Sequence, residues 1–175
     1  MTVIDQTEYS ELRATIRERG TARVWIFVIG AIAWASVTVA TAALAAPPLG
    51  TLVPLLVLVA AFEAVFALHV GVERIGRYLQ VMHEQDAHGW EHAAMRFGRP
   101  KGAAAADALF TVPFAIAAGL NLIPAIVIGP TREELIFVGG AHVLFIVRLV
   151  AARSAAKRQR AIDLERFRQL KTESR

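Results

Sequence analysis

Glu63, His142, Asn121 and Trp34 are the residues on which chemistry in this chain would turn, because each interrupts a long apolar run. Counted from Leu52 at ~1.5 Å per residue, Glu63 lies roughly 16 Å into its run, near the middle of a hydrocarbon layer ~30 Å thick. A carboxylate at that depth costs several kcal/mol unless it is protonated or paired, so it must face other helices and not lipid. By the same rise His142 and Asn121 lie about 10 Å from the outer surface, and Trp34 sits close to the level of Glu63. A buried indole N–H needs an acceptor. The spacing therefore predicts a polar cluster of Glu63, His142, Asn121 and Trp34 in the outer half of a helical bundle.

Three chemistries suit such a cluster. As interhelical glue, polar side chains in lipid contribute ~0.6 kcal/mol each on average. As a relay, Glu63 would pass protons or small cations. As acid and base acting on a lipid, Glu63 and His142 would need hydrogen-bond reach of each other or of one substrate position. A single Glu/His pair is too small a donor set for metal, since an open catalytic site usually has three protein ligands.

A second set follows on the same stretch. On a wheel of ~100° per residue, Glu63, His69, Glu73, Arg77, Gln80 and Glu84 fall within an arc of about 120°. His69 and Glu73, and Glu73 and Arg77, are i,i+4 pairs, so charges neutralise along a stripe of His69, Glu73 and Arg77. The stripe suits either a hydrated vestibule leading to Glu63 or the solvated end of a long helix. Beyond it, Glu84, His88 and either Glu91 or His92 are spaced to meet on one helical face, a zinc or iron arrangement. His83-Glu84-Gln85-Asp86-Ala87-His88 has one residue too many for the zincin pattern, and Gly89 interrupts the helix inside the set. Glu84, His88 and His92 give the one metal reading the spacing allows, and no other cofactor is predicted. Trp90 and Phe97 beside Arg96 and Arg99 suit a segment lying at lipid headgroups.

The elements that must position these residues follow from composition. In 175 residues, 55% are hydrophobic and only 19% charged, with a mean hydropathy of +0.47, too apolar for an ordinary soluble domain. Four apolar runs are long enough to cross a bilayer, at 24–46, 50–72, 104–128 and 135–152. The first ends in Ala43-Leu44-Ala45-Ala46, which imitates a signal-peptide cleavage site. Its leader of over twenty residues with balanced charge, and its long apolar run, instead favour an uncleaved helix. Thr7, Tyr9, Leu12 and Ile16 predict a short amphipathic helix over 1–21, ending at Gly20. Residues 73–103 form a loop, and 153–175, without Pro or Gly, continue the last helix as a tail. Pro113, Gly119 and Pro124 should bend the third span near Asn121.

Charge placement orients the chain. Of the 19 Lys and Arg residues, all but Arg132 lie at the N-terminus, in the middle loop, or from Arg148 onward. Both termini and the middle loop are therefore expected in the cytoplasm, most simply of a bacterial plasma (inner) membrane, with Pro/Gly turns closing two helical hairpins outside. The fold expected is all-α: a polytopic antiparallel bundle of four transmembrane helices with short cytoplasmic helices.

Several function classes are excluded. Zero cysteines remove thiol redox chemistry and thiolate metal sites. No Walker motif, GxGxxG turn or nucleophile elbow is present. The basic tail has few aromatics, so nucleic acid is not a partner. What remains is a small non-catalytic structural or accessory membrane component. The alternatives are an oligomeric proton or small-cation channel or carrier using Glu63, and an intramembrane lipid-modifying enzyme. Its partners would be membrane lipids and either further copies of itself or a larger membrane complex.

Overall fold

The computed structural model describes residues 3–44, 46–83, 89–97 and 105–173, the side chains of 3–5, 94–97 and 105–110 excepted. Among them every regular element is helical: α1 (Val3–Ala43), a 3₁₀ turn (Pro48–Thr51), α2 (Leu52–Met82), α3 (Trp90–Phe97), α4 (Ala105–Val127) and α5 (Arg132–Glu173). Three segments, Gln6–Ala43, Pro48–Met82 and Arg132–Glu173, are long and apolar enough to cross a membrane, and Thr111–Val127 is a shorter apolar helix. The described residues are thus all-helical in their regular structure and compatible with a membrane protein.

Helix α1 departs from expectation. The amphipathic helix over 1–21 and the apolar run after it form one uninterrupted helix of 41 residues that passes through Gly20. A lone glycine costs only ~1 kcal/mol in a helix, too little to break one whose neighbours on both sides favour it. The helix stops at Ala43 and not at residue 46, because Pro47 and Pro48 withdraw two backbone donors and disfavour helical geometry just before them. Helix α5 outlasts its apolar run as expected, whereas α2 runs on to Met82 through residues expected in the loop of 73–103, and α3 begins within that stretch directly after Gly89. Helix α4 carries Pro113 and Pro124 without interruption.

The turns have local causes. Gly50 N–H donates to Pro47 O at 2.7 Å, closing the 3₁₀ turn. Gly129 takes φ +76°, a conformation that suits glycine, at the end of α4. Thr131 and Glu134 then form a reciprocal cap on α5: Glu134 N–H donates to Thr131 Oγ1 at 3.3 Å, and Thr131 N–H donates to Glu134 Oε2 at 2.9 Å.

The chain divides into two compact units. The apolar unit comprises Val24–Phe66 and Asp107–Arg153. Its core joins Leu55, Leu58 and Phe62 of α2 to Phe114 and Ala118 of α4 and to Phe145 and Leu149 of α5. Phe62 is central, meeting Phe114 edge-on at 5.4 Å and Phe145 at 6.0 Å between ring centroids. Helices α1 and α2 come close at Gly30, where a Cβ would stand 2.5 Å from that of Ala61. The outward surface is also apolar: Trp25, Ile29, Ile32, Ile116, Leu120, Phe137 and Leu144 are all at least half exposed. A surface of that kind suits lipid and not water.

The polar unit comprises Met1–Arg23, Ala67–Ala106 and Ser154–Arg175. Leu79 is fully buried there, and Tyr78 meets the Phe167 ring edge-on at 5.5 Å.

Candidate functional site

In the apolar unit the four residues expected to cluster take three separate roles. Arg148 Nη2 donates to Glu63 Oε2 at 2.7 Å, joining α5 to α2. The guanidinium also lies over the Phe66 ring, 5.3 Å from its centroid, and near Phe62 at 5.8 Å. Both partners remain about two-fifths exposed, at 42% for Glu63 and 40% for Arg148.

Asn121 and His142 do meet, and both are buried. Asn121 Nδ2 donates to His142 Nε2 at 3.0 Å and to the Thr51 carbonyl at 2.8 Å. His142 Nδ1 lies 2.8 Å from Val138 O, one turn earlier on α5. A carbonyl can only accept, so Nδ1 carries the proton and Nε2 accepts from the amide. This small network ties α4, α5 and the turn before α2. The Asn121 Oδ1 atom is buried without a hydrogen-bond partner, as is Trp34 Nε1. Trp34 instead lines an apolar groove of about 350 Å³ with Phe27, Leu58, Pro113, Phe114 and Ile116.

In the polar unit the stripe of α2 becomes an ion network. Arg77, only 1% exposed, donates through Nη1 to Glu73 Oε2 at 3.1 Å and through Nη2 to Asp163 Oδ2 at 2.8 Å. Arg160 of α5 pairs with Glu73 Oε1. Arg74 Nε and Gln159 Nε2 donate to Asp163 at 3.4 and 2.8 Å. His69 is held from two sides: Arg23 Nη1 donates to its Nδ1 at 3.0 Å, which leaves the Nε2 proton facing Glu73 Oε1 at 3.7 Å.

Burial alone would push the Glu73 carboxyl up, but the Arg160 charge and the His69 ring beside it, with hydrogen bonds from Arg160 and Arg77, hold it below the usual carboxylate range. Asp163 is likewise pushed up by burial and brought down further by Gln159, Arg77 and Arg74. Nearby, Tyr78 Oη donates to Glu8 at 2.7 Å, and burial followed by that acceptor pushes the phenol up to about 12.

Of the residues spaced for metal, Glu84 and His88 lie outside the described set. His92 is described and partly buried on α3, while Glu91 is buried and paired with Arg13 of α1. No group of three or more His, Asp or Glu positioned to hold a metal occurs among the described residues.

Sequence reasoning missed Arg148, Arg160, Asp163, Arg23 and Thr51. For Arg148 a signal was available: four apolar residues, Leu149 to Ala152, separate it from the next base, so it belongs inside its apolar run. The others gave none, because a base before the first apolar run, a tail base, a tail acid or a backbone carbonyl is chosen as a partner only by tertiary contact.

No protein-family model, curated protein or solved structure matches this chain.

Proposed function

We propose that the chain is a four-span integral membrane protein, an antiparallel bundle with both ends in the cytoplasm, acting as a non-catalytic structural or accessory component. Helix α4, at 23 residues, is long enough to supply the fourth span beside the three longer helices. The distribution of Lys and Arg supports the orientation.

The observation that carries the non-catalytic reading is how the polar groups of the apolar unit are used. The acid/base pair that a lipid-modifying enzyme would need is divided, with Glu63 held by Arg148 and His142 held by Asn121 and Val138. These contacts join α2 to α5 and α4 to α5, which is the work of interhelical glue. The apolar groove beside Trp34 adds a surface suited to another apolar chain.

Native mass spectrometry of the complex, gently extracted from its own membrane, tests this reading. Other polypeptides in the complex are the expected result, and a chain found only alone or with copies of itself overturns the accessory role. A second reading, an oligomeric channel or carrier for protons or small cations, draws on the half-exposed Glu63. Proteoliposomes of the purified chain decide it: proton or cation flux that Glu63→Gln abolishes would replace the first reading.

A further inference from the structure

Among its described residues the apolar unit presents a mostly apolar outward surface, in which the Glu63–Arg148 ion pair stands out. Glu63 and Arg148 are 42% and 40% exposed. A charge left at a lipid-facing surface at this depth is costly to hold there. Pairing removes the net charge but not the exposed edge of each group. On α2, exposed Leu56 and Ala60 lie within about 60° of Glu63 on the helical wheel, and on α5 exposed Leu144 and Ala151 lie as close to Arg148. The pair is thus framed by apolar and small side chains that allow another helix to approach.

We propose that this α2/α5 face is the contact surface for a second copy of the same chain. The argument is charge complementarity. Glu63 and Arg148 lie side by side, one on each helix. A two-fold axis along the membrane normal, passing beside the pair, turns α2 of one copy toward α5 of the other. Each Glu63 then faces the Arg148 of the other copy, and the four charges alternate in sign. The surface is self-complementary, as an isologous interface requires. An unrelated partner would have to supply a matching pair of its own. The inference takes from the proposed function only that α2 and α5 cross a membrane, and it stands whether or not the role is accessory.

Cross-linking in native membranes tests it, and the absence of native cysteine makes the background clean. Two differently tagged full-length chains, one Ala60→Cys and one Leu144→Cys, are co-expressed and treated with a short bis-maleimide. Ala60 precedes Glu63 by about one turn and Leu144 precedes Arg148 by about one turn, so the two sites are level in the pair of copies. A product carrying both tags is expected. Chains with Ile29→Cys and Ile116→Cys, equally exposed on α1 and α4, should give none. No doubly tagged product, equal product from the control pair, or products that join these sites only to another polypeptide overturn the proposal.

A complementation experiment adds a readout that a purely intrachain pair would not move. Glu63→Arg and Arg148→Glu chains each carry two like charges at this face, and each alone should self-associate about tenfold less than the parent. Together they should associate with each other as the parent does. Failure to recover association, with both chains inserted, overturns the interface.

Discussion

At the scale of single residues, the two ion-paired arrangements differ in what they withstand. Removing Arg148 leaves Glu63 as an uncompensated carboxylate in an apolar setting, whereas removing both charges leaves only a changed contour. Arg148→Gln is expected to destabilise the protein by about 2 kcal/mol, and Glu63→Gln/Arg148→Gln by less than that single change. Reversible unfolding in bicelles measures both, and a double variant weaker than either single would remove the pair's structural role. In the polar unit, Glu73 and Asp163 bind their protons less readily folded than unfolded, so their contribution is present above the ordinary carboxylate values of 4.5 and 3.8. It is lost as pH falls through the folded values beneath them. Hydrogen exchange of α2 and α5 amides should therefore accelerate below about pH 4. Asp163→Asn should give faster exchange at neutral pH and a flatter acid limb. An unchanged acid limb would show that the carboxylate does not lock Arg77. That Glu63 needed a partner was legible in the sequence from its depth alone. That the partner is Arg148 was legible only in part: the four apolar residues after it set it inside its run, but a base that near the end of a run also reads as an anchor at the membrane surface.

At the scale of the elements, the sequence carried helix type and approximate length, and misjudged continuity. Gly20 suits a helix stop by residue type, yet nothing crowds it and α1 passes through. Gly30, which drew no attention, is the glycine that packing requires. A Cβ there would stand 2.5 Å from Ala61 Cβ, an overlap that only separation of α1 and α2 relieves. Periodicity locates a helix face but not which point on it meets a neighbour, so this crossing was invisible beforehand. Gly30→Ala should cost about 1–3 kcal/mol, and Ala61→Gly in the same chain should restore most of it. Gly20→Ala should instead stabilise by about 0.5–1 kcal/mol through helix propensity alone. The same bicelle unfolding assay reads all three. Opposite signs for the two glycines test whether crowding or propensity governs each site, and a Gly30→Ala protein of unchanged stability would refute the close crossing.

At the scale of the whole molecule, the orienting signal and the span count are separable, and one labelling pattern tests both. Leu49 and Thr131 are exposed residues in the two turns that flank α2 and α4. If α2 and α4 both cross the membrane, the two turns lie on the same side. If α4 does not cross, they lie on opposite sides. Single-cysteine chains Leu49→Cys and Thr131→Cys should both react with a membrane-impermeant maleimide applied to intact cells. Lys157→Cys, exposed on the basic tail of α5, should react only after permeabilisation. Labelling of Leu49→Cys without Thr131→Cys would reduce the count to three spans and move the tail outside, against the distribution of 18 of the 19 bases. The physical stake is α4, whose two internal prolines weaken it as an independent helix. Burial of Phe114, Ala118 and Asn121 against the other helices compensates for those missing hydrogen bonds, and that compensation is what would hold α4 across the bilayer. Asn121→Leu, which removes the donor to Thr51 and His142, should then leave Leu49 labelling unchanged while making Thr131→Cys labelling partial.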